Sequence, residues 1–213
     1  MAGFGAFGKM PSLGDFFRLS LPAGFEAPWD RWVQDGLLAA RANLGDRWQA
    51  CYFSAPIWRF TLASGLAGPA VQGVLMPSVD RVGRQFPLTL VGSLDPARAA
   101  DVAAAHVAAD GIFAALEDAA LDALDDGMTR EALADRLQAI SPMTPAPAAP
   151  GDLAARIAAQ PGSGGASSVW TAILHGETRL VVQNGLPPPA RMADFYDSDA
   201  ALWQTAQAEG APP

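Results

Sequence analysis

The chain has 213 residues, half of them hydrophobic, with 22 acidic against 14 basic side chains and a formal net charge of −8. That length suits one domain with a sizeable core. The acidic balance argues against nucleic acid or an anionic membrane as partner, because phosphate binding needs concentrated positive charge and the single lysine and thirteen arginines are spread along the chain.

Residues 3–9 alternate small and aromatic side chains and predict a first strand, with glycines admitting close backbone approach. Pro11 to Asp15 then turns the chain. Lys9, Asp15 and Arg18 are candidates for a recognition surface; the favoured role of Asp15, compatible with that one, is to cap the backbone N–H groups of the turn that follows. Lys9 does not belong to a phosphate-binding loop, since the Gly-to-Gly-Lys spacing is too short and Met10 stands where Ser or Thr is needed. Pro28 to Leu44 predicts an amphipathic helix, with Trp29, Trp32, Val33, Leu37, Ala40 and Leu44 on one face and Gly45 as its end. Trp29 and Trp32, one turn apart, are assigned to the core. Residues 48–54 predict an irregular strand or loop. Trp58 to Ala63, Val71 to Met76 and Leu88 to Gly92 predict three successive strands in an antiparallel meander, with Trp58 and Phe86 as further core positions.

The connection between the last two of these strands is the most charged stretch between apolar runs. Met76 to Leu90 reads MPSVDRVGRQFPLTL, punctuated by Pro77 and Gly83. Ser78, Asp80, Arg81 and Arg84 are its candidate site residues. Either Asp80 pairs with Arg81 or Arg84 in a solvated hairpin loop, or all three face a partner.

Asp95-Pro96 has the form of a helix start, and the apolar stripe that follows predicts a helical region to Leu124, with a kink or break at Gly111. His106 lies beside the stripe in a structural position. Asp118, Asp122, Asp125 and Asp126 form either a solvated face or an acidic feature for a basic partner. Thr129 to Ile140 predicts a helix capped by Thr129. Residues 141–151 read as a flexible Pro/Ala linker, and a short helix is expected near 153–159. The glycine-rich run at 161–165 leads into a strand, so it offers no helix N-terminus to an anion and reads as a linker. Ser168 to His175 and Thr178 to Gln183 predict a hairpin completing the sheet. Residues 192–205 suit a terminal helix and 206–213 a disordered tail. The expectation is one α/β (α+β) domain over residues 1–205, with a mainly antiparallel central sheet of five or six strands flanked by helices.

No run of about 18 uninterrupted apolar residues predicts a membrane-spanning helix, and no signal peptide is visible, so a cytoplasmic protein without direct membrane insertion is expected. Cys51 stands alone and is expected to be buried and inert. With two histidines, and without HExxH, GxSxG or GxGxxG, no catalytic or metal set assembles. A binding module without cofactor or metal, not an enzyme, is the expectation.

Three segments carry a family resemblance: GAFGKMPSLGDF at Gly5 to Phe16, PIWRF at Pro56 to Phe60, and PSVDRVGRQFPL at Pro77 to Leu88, with a weaker echo in Ser168-Val169-Trp170. Their order and spacing resemble the TagF (ImpM) family of type VI secretion accessory proteins. The resemblance implies a sandwich of the longin or profilin-like kind. It also implies a cytoplasmic post-translational regulator, generally a repressor, linked to the forkhead-associated scaffold protein of the system and its threonine phosphorylation pathway. On this reading the Pro77 to Phe86 connection meets the Lys9 to Asp15 segment in one patch, where arginines give directional pairing with carboxylates. Asp80→Ala or Arg81→Ala is then expected to weaken partner binding and leave the fold intact. The alternatives are a small-ligand or nucleotide-binding domain, or an uncharacterised enzyme, using Asp80, Arg81 and Arg84, and a structural subunit of the secretion apparatus.

Overall fold

Seven strands pair into one antiparallel sheet in a computed structural model that describes residues 3–140, 152–161 and 163–200. The strands are β1 (Gly5–Gly8), β2 (Phe17–Leu19), β3 (Trp58–Leu62), β4 (Val71–Met76), β5 (Leu88–Ser93), β6 (Ser168–Leu174) and β7 (Glu177–Gln183), in the spatial order β2-β1-β5-β4-β3-β6-β7. The α/β class expected from the sequence holds. The sheet exceeds the expected five or six strands because β2, three residues long, is too short to show a period.

Seven α-helices accompany it among the described residues: α1 (Glu26–Leu44), α2 (Trp48–Ser54), α3 (Val102–Val107), α4 (Asp110–Asp122), α5 (Arg130–Ala139), α6 (Asp152–Ala158) and α7 (Met192–Tyr196). Side chains alternate across a strand, and here both faces are covered. Phe60, Leu75, Val91 and Trp170 meet the tryptophan stripe of α1. Val74, Met76, Leu88 and Leu90 on the other face meet Phe113 and Leu116 of α4, with Leu133 and Leu137 of α5 behind. Each such side chain, fully buried, contributes about 1.5–3 kcal/mol.

The first core is aromatic. Trp29 lies 4.9 Å from Phe60 and 6.1 Å from Trp170, centroid to centroid. Its indole N–H donates to Thr89 Oγ1 at 2.9 Å, so the polar end is satisfied inside the core. Trp32 and Trp58 donate likewise to the carbonyls of Pro187 and Phe195. Phe60 and Trp170 are register partners across β3 and β6, so two of the family-like segments sit side by side at the centre of the sheet.

Two local expectations are corrected. Residues 48–54 form α2, not a strand or loop: Trp48, Cys51 and Tyr52, at i, i+3 and i+4, all turn inward. Asp95 does not start a long helix. Its carboxylate accepts the Ala97 N–H at 2.8 Å in a tight turn, and α3 begins after Asp101, which accepts the Ala104 N–H at 2.9 Å. The helical region then breaks at Ala108–Ala109, just before Gly111. Thr129 caps α5 through its hydroxyl, and the β6–β7 hairpin turns on His175 and Gly176, both at positive φ. Cys51 is buried, and burial pushes its thiol up. The linker at 141–151 and the tail at 206–213 lie outside the described residues, as does the expected helix beyond residue 200. Among the described residues no helix is long and apolar enough to cross a membrane.

Candidate functional site

The connection from β4 to β5 continues the hairpin beyond the sheet. Val79 bridges Gln85. The Gly83 N–H donates to the Asp80 carbonyl at 2.8 Å, which closes a four-residue turn. Gly83 takes a φ of +81°, a conformation suited to glycine.

Asp80 is the centre of this turn. Its Oδ1 accepts the backbone N–H groups of Val82 and Arg84 at 3.1 and 2.9 Å. Its Oδ2 lies 3.0 Å from Lys9 Nζ and 2.6 Å from Arg84 Nε. The residue is 2% exposed and Lys9 is 5% exposed. Burial alone would raise the carboxyl pKa. The N–H of Arg84, the Lys9 ammonium, the Arg84 guanidinium and the Val82 N–H together overcome it, and hold the group well below the usual carboxylate range. The Lys9 ammonium also sits 4.8 Å from the centre of the Phe16 ring, which packs on Phe86 at 4.6 Å.

The N-terminal segment is laced to this loop. The Arg81 N–H donates to the Leu13 carbonyl at 2.8 Å, and Arg84 Nη2 donates to the Gly14 carbonyl at 2.6 Å. Gly8, at φ +132°, brings β1 so close to Pro87 that an added Cβ would lie 2.1 Å from its carbonyl oxygen. From below, Tyr52 of α2 grips Ser78: its hydroxyl donates to the Ser78 carbonyl at 2.7 Å and accepts the Ser78 N–H at 3.0 Å. Burial pushes that phenol up, so it keeps its proton. Tyr52→Phe is expected to cost about 2 kcal/mol, read by urea unfolding, because it strands a buried N–H.

The structure therefore brings Lys9, Asp15, Ser78, Asp80, Arg81 and Arg84 together and leaves Arg18 apart. Arg18 lies on β2 and pairs with Glu26 at the start of α1, at 2.7 Å. Three of the sequence-predicted contact residues are corrected. Asp80 is buried with its oxygens occupied, Lys9 is buried with its ammonium on Asp80, and Ser78 is buried with its backbone held by Tyr52, so none of the three presents a group to a partner. Their role is to hold the loop. What faces solvent is the tip: Arg81, Val82, Gly83 and Arg84, with Asp15 and Phe16 beside it.

Sequence reasoning missed the neighbouring wall. Gln85 Oε1 accepts from Trp48 Nε1 at 2.7 Å and from Arg41 Nη2 at 3.1 Å, which ties the loop to α1 and α2. Arg41 also stacks over Trp48 at 5.2 Å. The helical spacing of Trp48, Cys51 and Tyr52 was the available signal. Among the described residues no group of three or more His, Cys, Asp or Glu is placed to hold a metal ion.

Comparison with known proteins gives two findings. Residues 5–140 match the family model described as TagF N-terminal domain, type VI secretion system-associated. The fold is similar to the crystal structure of PA0076 from Pseudomonas aeruginosa PAO1, with a TM-score of 0.75 and 32% sequence identity, covering 92% of this chain and 95% of that one. No curated protein matches the chain. The family match stops at residue 140, whereas the sheet continues with β6 and β7 paired onto β3.

Proposed function

The chain belongs to the TagF N-terminal domain family and is type VI secretion-associated, and from that premise we propose that it represses secretion after translation by binding a protein partner in the cytoplasm. The partner in this reading is the forkhead-associated scaffold protein of the secretion system, and the action is stoichiometric binding, not catalysis.

The observation that supports the reading is the build of the β4–β5 loop. Its exposed tip carries two guanidiniums and Val82, while its base is locked by the buried Lys9–Asp80 pair, which the half-exposed Arg84 caps from the solvent side. A recognition element held rigid before binding loses little conformational freedom on docking. Arginines placed this way favour planar, directional pairing with acceptors.

Graded expression of the chain in its host provides the test. Type VI secretion should fall in proportion to the ratio of this chain to the scaffold protein, and removal of the chain should raise it. Full repression at amounts far below the scaffold protein would argue for catalysis. Secretion unchanged at every dose would refute the repressor reading.

A further inference from the structure

We propose that the groove between α1, α2 and the β4–β5 loop receives a short acidic segment of a partner protein that also carries a bulky apolar side chain. The inference rests on the reading of the chain as a binding regulator and names the chemistry of what it binds.

The groove has a volume of about 500 Å³ and is lined by Arg41, Trp48, Gln49, Phe53, Arg84 and Gln85, with Gly83 at its rim. None of these is a carboxylate. A smaller depression, lined in part by Asp35, adjoins it across Arg41 and Gln85 and reaches Leu38 on α1. In a chain of net charge −8, the groove itself is a local reversal of sign. Among the described residues neither Arg41 nor Arg81 has a carboxylate partner. Arg41 is oriented instead by a neutral amide and an indole face. Gln85 Oε1 is already taken by two donors. The charged group left open is therefore the Arg41 guanidinium, and a carboxylate on the ligand supplies its acceptor.

The same surface exposes apolar side chains that a monomer would ordinarily cover. Leu38 is 72% exposed, Phe53 58% and Val82 70%. Large apolar groups around desolvated arginines are the composition of protein-binding hot spots. Carboxylates alone would leave these three uncovered, and an apolar segment alone would bury the Arg41 guanidinium without a counter-charge. An acidic segment with one leucine-like or aromatic anchor satisfies both.

Selection of random dodecapeptides displayed on phage against the full chain provides the test. Sequences enriched in Asp and Glu around a Leu, Ile or Phe are expected, with binding weakened about tenfold or more by Arg41→Glu and by Phe53→Ser. Circular dichroism melts establish that both variants are folded. Reversal of Arg130, on α5 beneath the opposite face, should leave binding unchanged. Enriched peptides without acidic excess, equal recovery on the Arg41→Glu protein, or no enrichment over it would each overturn the proposal. Such an outcome leaves the regulatory reading intact, since that reading stands or falls on the secretion assay.

Discussion

Asp80→Ala is expected to lower the Tm by roughly 10 °C, the largest loss among single substitutions in the loop. The variant leaves Lys9 buried without its counter-charge and frees the N–H groups of Val82 and Arg84. Asp80→Asn should recover part of the loss, because an amide oxygen still accepts those N–H groups but brings no charge to Lys9. Lys9→Met combined with Asp80→Ala should also recover part, because removing both charges of a buried pair is milder than removing one. Arg81→Ala should melt close to wild type, since its side chain is exposed and only its backbone N–H is used. The cluster has a defined pH signature. A carboxyl held below its ordinary value contributes fully above the pH at which the unfolded chain's carboxyl titrates, near 3.8, and that contribution drains away in stronger acid. Differential scanning calorimetry between neutral pH and pH 3 checks all five statements. A Tm for Asp80→Ala within a degree or two of wild type would show the carboxylate to be dispensable to the fold.

Mild acid is expected to destabilise the protein through His106. The imidazole is 2% exposed and lies between the hydroxyls of Thr61 and Thr171, 2.9 Å from each. Burial, with the nearby Arg59 charge as the second cause, pushes its pKa down to about 3. The folded chain therefore keeps His106 neutral, while the unfolded chain takes up a proton below about pH 6.5. Stability from this group is complete above that pH, is lost as the pH falls, and levels off near pH 3. Between pH 7.5 and pH 4.5 the loss is about 3 kcal/mol. His106→Gln should be less stable at neutral pH, with a stability that declines less steeply in acid. Urea unfolding of both proteins at several pH values measures this. Parallel curves for wild type and variant would remove His106 as the source.

The sequence carried most of the sheet, and the reasons are local. β4 and β5 are apolar runs bounded by Pro and Gly, and the observed Val71–Met76 span matches the run residue for residue. α1 showed a stripe long enough to be read by period. β2 and α2 were hidden because three and seven residues are too few for periodicity to separate strand, helix and loop. Asp95 was misread because Asp before Pro suits a turn as well as a cap, and only the structure shows Asp101 at the helix start.

At the candidate site, the meeting of the Lys9 segment with the loop was legible as two charged stretches flanking strands. The burial of Asp80 was not, because spacing does not tell a buried carboxylate from an exposed one. One sign was present: Asp80 followed by Gly83 is the pattern of a turn closed by its own side chain. The groove wall was invisible because Arg41, Trp48, Phe53 and Gln85 come from three separated stretches.

The most direct test is the affinity of the purified chain for the purified forkhead-associated scaffold protein by isothermal titration calorimetry, wild type against Arg81→Glu, whose side chain is exposed and outside the Asp80 cluster. Binding near one to one is expected, weakened about tenfold or more by the charge reversal at unchanged fold. Absence of binding by the wild-type chain, or equal affinity for the variant, would contradict it.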